Sequence, residues 1–249
     1  MKLFPHDDHV VFDYETGDLY GGPFFRPVEL GLLRYVDGRV DVTSRIVDPA
    51  LDDPLFVCSA KAESIHGITA EIRASKGVAP SLAATFLQRA FDSVPHAPLW
   101  AHCGISLDFH LADQEARRAN LPPPPLARLR DSAGVYKGIA MGVDPRKYRR
   151  WIDVLNDALE IRRRGFLFNV KHLVTTLDLG IRLKTADDGR VTGWEVDCAR
   201  LGLRQEDADR IGAEGLHRSA FDCVATHALI LHLKRTAPPE WLEADLPED

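Results

Sequence analysis

Asp13 and Glu15 stand one residue apart in the stretch "VVFDYETGD", where three apolar residues run straight into two acids. The apolar run reads as a buried strand, a setting that disfavours carboxylates. Residues i and i+2 of a strand face the same way, so both acids point to one side. Like charges held that close repel unless something positive lies between them. A divalent cation bound by oxygen ligands is the natural resolution. The spacing alone decides little, since an Asp-x-Glu match is expected by chance about once in so acidic a chain. Asp113 and Glu115 repeat it. They fall in a predicted helix, where i and i+2 diverge by about 200°, and are expected on a solvated face.

Two further stretches carry candidate groups. "GLHRSAFDCVATHAL" holds His217 and Asp222. Ser219 is placed to N-cap a helix, which leaves His217 in the preceding loop and Asp222 in the first turn. From there both can face one cleft. The same residues also suit a capping box with Asp222 in place of the usual Glu or Gln, and the two readings are compatible. In "PLWAHCGISLDFHLAD", Asp108 follows a buried strand and a glycine-containing turn, at the start of a helix. Open α/β sheets bind ligands beyond the C-terminal ends of their strands; capping of the helix is the alternative role.

The elements that must position these groups follow from periodicity. "HVVFDYET" reads as a strand, and "VELGLLRYV" and "RVDVTSRIV" as a hairpin through Asp37-Gly38. Thr69 caps a short helix that Gly77 ends. Ser81 opens another, with Leu82, Phe86, Leu87 and Phe91 at helical spacing. "APLWAH" is a buried strand, followed by a helix through "LDFHLADQEARRAN" and a stiff break at the prolines 122–125. This order predicts an α/β fold with a mixed sheet. Residues 146–166 are expected as one amphipathic helix with Trp151, Leu155, Ala158 and Leu159 along a face, and 168–181 as another helix. Residues 182–202 are polar and turn-rich, a last helix spans 219–234, and a frayed acidic tail follows.

The chain has 249 residues, 45% hydrophobic and 27% charged, with a net charge of −6, which suits one large globular domain. The acidic balance disfavours nonspecific coating of nucleic acid and leaves room for a local basic strip. Cys58, Cys103, Cys198 and Cys223 form no C-x-x-C pair, so reduced thiols in a cytoplasmic protein are expected, without zinc. No signal peptide and no membrane-spanning apolar run is seen; a soluble protein with no membrane partner is expected. The basic strip is Arg146, Lys147, Arg149, Arg150, Arg162, Arg163 and Arg164. It reads as a phosphate-tracking surface with Tyr148 or Trp151 to stack on a base, as a solvated helix with Trp151 in the core, or as a docking site for a protein partner.

Together these pieces resemble the DnaQ-like 3′–5′ exonucleases, the DEDDh family. "FDYETGD" is similar to that family's D-x-E-T-T-G, "AHCGISLDFHL" to its second motif, "HRSAFD" to its H-x-A-x-x-D, and "IHGIT" at 65–69 to a segment frequent between the first two. The resemblance covers about 9–131 and 166–233. It implies an RNase H-like fold with a five-stranded mixed sheet flanked by helices. It also implies one domain over 1–236, with a helical, basic insertion at about 138–165, a polar segment at about 182–214, and an acidic tail at 237–249. Asp13, Glu15, Asp108 and Asp222 become the ligands of two divalent cations, Mg²⁺ or Mn²⁺, and His217 the general base. The implied activity is 3′–5′ hydrolysis of single-stranded nucleic acid, DNA favoured over RNA; a catalytically inactive nucleic-acid-binding or adaptor module is the alternative. Three positions depart from the pattern: a single Thr precedes Gly17, Cys103 replaces Asn with one extra residue before Asp108, and Ser219 replaces Ala.

Overall fold

The apolar run Val10–Phe12 and the Asp13-Tyr14-Glu15 stretch build strand β1 (His9–Thr16), which pairs antiparallel with Pro27–Val36 (β2), itself paired with Arg39–Ile46 (β3). Asp37 and Gly38 join β2 to β3 with φ of 50° and 76°, the left-handed backbone that a two-residue hairpin turn needs. The computed structural model describes residues 1–18, 22, 25–187, 191–215 and 218–247. After β3 come α1 (Ala60–His66), α2 (Ala70–Lys76), α3 (Pro80–Ser93), β4 (Leu99–Ala101), α4 (Asp108–Arg118), β5 (Leu129–Asp131), α5 (Ser132–Ala140), α6 (Trp151–Glu160) and α7 (Val170–Thr176). A hairpin, β6 (Ile181–Thr185) and β7 (Val191–Val196), leads to α8 (Cys198–Leu201), α9 (Gln205–Glu214), α10 (Ser219–Thr236) and α11 (Pro239–Leu242).

The main sheet has the order β3-β2-β1-β4-β5, with β4 and β5 parallel to β1. Helices cover both faces, and the sheet divides two apolar cores. Val10, Phe12 and Leu99 pack with Leu87 and Phe91 of α3 and Leu111 of α4. Val11, Leu33 and Trp100 pack with Phe221, Val224 and Leu229 of α10. The period-two alternation of β1 therefore sends Asp13 and Glu15 to the α10 side. Gly31, the register partner of Asp13, lets α10 come close on that side: a Cβ there would lie 2.5 Å from the Ser219 backbone. The missing side chain at Gly31 brings the first turn of α10 down onto β1.

Several expectations need correction. The helix expected over 146–166 is only Trp151–Glu160, because Pro145 lies in a short 3₁₀ turn capped by Asp144 and Ile161 is extended. The basic residues thus flank the helix and do not lie on it. Trp151 belongs to the core and donates its indole N–H to the Met1 carbonyl at 2.7 Å. The helix expected over 168–181 ends at Thr176. The polar stretch from 181 forms the β6–β7 hairpin, pinned by Trp194 against Phe221 at 5.2 Å. Helix α3 starts at Pro80, and Leu82 is exposed. Ser219 is the first residue of α10 and not its cap, and the N-cap residue Arg218 makes no side-chain capping bond. Up to residue 247 the tail is packed and not frayed: Trp241 is buried, its indole donates to the Val143 carbonyl at 3.0 Å, and Asp245 forms an antiparallel β-bridge with Lys2. Glu115 is buried, contrary to the solvated face expected for it.

Candidate metal centre

Three carboxylates converge where β1 meets α10. Asp13 and Glu15 share one face of the strand, and Asp222 lies in the first turn of the helix. One oxygen from each falls within 4.8 Å of the others. Asp108 is the first residue of α4, 1% exposed, and accepts the Tyr14 N–H at 2.9 Å. A short 3₁₀ turn at Gly104–Ser106 takes up the extra residue that precedes it. Asp131, buried at the end of β5, holds that turn by accepting from Cys103 N at 3.2 Å and Ile105 N at 3.0 Å. Cys103 has φ of 61°, a conformation that Asn adopts more readily than most residues.

The electrostatics of the cluster are those of negative charge without enough compensation. Burial, then Asp108, Asp222 and Glu15, pushes Asp13 well above the usual carboxylate range. Burial first, and then the neighbouring acids, raises Glu15 to about 9 and Asp108 to about 8. Burial raises Asp222 to about 7, with Lys171 of α7 opposing the rise. The Asp222 Oδ1 atom is buried without a hydrogen-bond partner among the described residues. Hard oxygen donors, mutual repulsion and one orphaned oxygen fit a divalent cation better than any protein group nearby.

Sequence reasoning passed over four residues around the cluster. Glu29, fully buried in β2 opposite Glu15, accepts from Arg218 Nε at 3.0 and 2.9 Å and from Ser219 N at 3.1 Å. It ties the start of α10 to the sheet. Arg218 is its partner, Asp131 holds the turn before Asp108, and Lys171 faces Glu15 and Asp222. Glu29 was open to discovery by the signal that flagged Glu15, an acid inside an apolar strand. The other three carry no such mark. His217 lies outside the described residues.

The basic strip does not gather at the carboxylates as a unit. Arg146 pairs with Asp144 at 2.8 Å and Arg150 with Asp153 at 2.7 Å, while Lys147 and Arg149 are exposed. Arg162, Arg163 and Arg164 line a separate groove with Phe166 and Phe168.

No family model matches the chain, and no curated protein matches it. Solved structures do. E. coli Exonuclease I in complex with a dA16 oligonucleotide superposes with a TM-score of 0.57 at 17% identity, covering 95% of this chain and 42% of that one. The zinc-ion-bound form of the E. coli ExoI–ssDNA complex gives 0.60 at 17% identity over 94% and 42%. A further Exonuclease I structure, described as suggesting how processivity is achieved, gives 0.61 at 16% over 95% and 42%. The chain thus spans about two fifths of the length of the proteins it matches. At this identity the likeness shows the fold: this is an α/β chain with the RNase H-like five-stranded mixed sheet flanked by helices.

Proposed function

We propose that the chain is a metal-dependent 3′–5′ exonuclease acting on single-stranded nucleic acid, DNA in preference to RNA. The observation that carries the reading is the convergence of Asp13, Glu15 and Asp222 within 4.8 Å. Asp108 is coupled electrostatically to the same group. The 3′–5′ direction comes from the motif resemblance. The single-stranded substrate comes from the oligonucleotide complexes of E. coli Exonuclease I.

Asp13, Glu15 and Asp222 would hold one divalent cation, and Asp108 would help to hold a second. Cations bound there supply a lowered water pKa and charge stabilisation at the scissile phosphate. His217 takes the proton from the attacking water, as a neutral imidazole can near pH 7. The Arg218–Glu29 pair fixes Arg218 and the start of α10 against the sheet. Lys171 contributes positive charge beside Glu15 and Asp222.

The test is incubation of 5′-labelled single-stranded DNA and RNA with Mg²⁺ or Mn²⁺, with and without chelator. A ladder of shortened products that chelator abolishes supports the reading, and the preferred strand names the sugar. Internal cuts, or no product from either strand, would contradict it.

A further inference from the structure

Beyond α6 the chain runs from 161 to 169 without helix or strand, turning at Gly165 with φ of 76°. Arg162, Arg163 and Arg164 are exposed there, and their guanidinium groups have neither an ion pair nor a hydrogen bond to the described residues. Their neighbours Arg146 and Arg150, by contrast, are neutralised by Asp144 and Asp153. Three adjacent uncompensated cations repel one another, so they favour an anionic ligand.

Aromatic rings line the same groove. Phe166 and Phe168 are half-buried and near parallel, with centroids 6.3 Å apart at 28°. Phe166 also lies beside Tyr136 at 5.8 Å and 22°. Lys137 sits 5.0 Å from the Phe168 centroid while its Nζ donates to the Leu159 carbonyl at 2.6 Å. Guanidinium groups beside half-exposed aromatic rings carry the chemistry that holds unpaired nucleotides: phosphates on guanidinium, bases on rings. A duplex hides its base faces, and an acidic peptide has none.

The segment that lines the groove runs on toward the carboxylates. The Phe168 carbonyl accepts from His102 Nε2 at 2.7 Å, at the end of β4. Three residues after Phe168, Lys171 in the first turn of α7 faces Glu15 and Asp222. We infer that Arg162, Arg163, Arg164, Phe166 and Phe168 form a sequence-independent track for single-stranded nucleic acid beside the metal centre. The inference rests on the nuclease reading for its purpose, and its test does not require cleavage.

Binding of a 5′-fluorescein oligo-dT is measured by anisotropy in chelator over a series of salt concentrations. Replacing all three arginines (Arg162→Ser, Arg163→Ser, Arg164→Ser) should weaken binding at least tenfold near 0.1 M salt. It should flatten the log–log salt slope by about 2, at about 0.7 per single-strand phosphate contact. Phe168→Leu should weaken binding about fivefold or more and leave the slope unchanged, as expected for a lost stacking contact. Arg117→Ser, an exposed arginine paired with Asp113 at 2.8 Å, should change neither. The arginines are exposed, so their replacement leaves the fold intact, which circular dichroism checks. An unchanged slope in the triple variant overturns the proposal. So does polyglutamate competing as well as oligo-dT, or Phe168→Leu without effect. A chain that binds and never cleaves fails the nuclease reading alone; one that cleaves while the triple variant binds normally fails the track alone.

Discussion

Glu115 is buried and Glu15 half-buried on neighbouring elements, and the protein treats the two acids in opposite ways. Glu115 meets Arg26, which donates Nε at 3.2 Å and Nη2 at 2.9 Å to its two oxygens and reaches on to Asp52 at 2.7 Å. Glu29 likewise meets Arg218. Glu15, Asp13 and Asp222 share their space with one another, with Lys171 as the cation acting on Glu15 and Asp222. Removing one partner of a buried pair is costly because it strands a charge. The cluster is in that stranded condition within the folded chain itself. On the proposed function its missing positive charge comes from solution, which would separate a site from a structural ion pair.

The largest expected contrast follows from removing one acid from each set. Asp13→Asn should lower metal-dependent cleavage by at least about 10³-fold, the scale of losing a preorganised charge-stabilising group, without lowering the melting temperature in chelator. Glu115→Gln should do the reverse, costing about 3 kcal/mol of stability by weakening the buried Arg26 pair and sparing turnover at a temperature where the fold holds. Activity assays and denaturant melts of both variants check the crossing pattern.

Gly31→Ala should come next. Its Cβ would sit 2.5 Å from the Ser219 backbone, so α10 must retreat and carry Asp222 away from Asp13. A loss of about 10²-fold in rate with a destabilisation of about 1–3 kcal/mol is expected.

Titration gives the third contrast. Glu15, Asp108 and Asp222 have folded pKa values raised to about 9, 8 and 7. A raised group lends stability below its unfolded pKa and loses it as pH climbs through the folded one. In chelator the protein should therefore weaken between about pH 5 and 9, and Mg²⁺ or Mn²⁺ should remove that loss. His9 and His227, buried with their ring nitrogens 2.8 Å apart, shift the opposite way, because their charged form is the protonated one. Burial holds His227 at about 4 and His9 well below its ordinary value. A depressed histidine lends stability above its unfolded pKa, about 6.5, and loses it as pH falls toward the folded value. A separate loss between about pH 6.5 and 4, which cations do not restore, is expected in the same melts.

The opposed fates of the acids were only half legible in the sequence. The β1 strand, the Asp37-Gly38 hairpin and the capped helix after Thr69 are local features, and the structure has all three. The convergence of Asp13, Glu15 and Asp222 rests on strand alternation and on a helix start, both of which the sequence marks. Glu115 was misjudged because its partner Arg26 is far away in sequence, and helical geometry says nothing about what packs against a face. Strand β5 escaped notice for a similar reason, since "LRD" buries an arginine and an aspartate through contacts that no periodicity encodes. The two basic clusters look alike in sequence, and only the fold separates the paired Arg146 and Arg150 from Arg162, Arg163 and Arg164, which have no ion pair among the described residues.

The smallest effect concerns Cys103 at φ 61°. Cys103→Asn should stabilise the protein by about 0.5 kcal/mol, because Asn tolerates that backbone better, and the shift should show in the denaturant midpoint.

Calorimetric titration of Mn²⁺ into the metal-free protein near pH 7.5 tests the central claim most directly. Binding by the native chain that Asp13→Asn abolishes and Glu115→Gln leaves intact is the predicted result. Equal Mn²⁺ binding by the native and Asp13→Asn proteins, or none by either, would contradict the assignment of the uncompensated acids as a cation site.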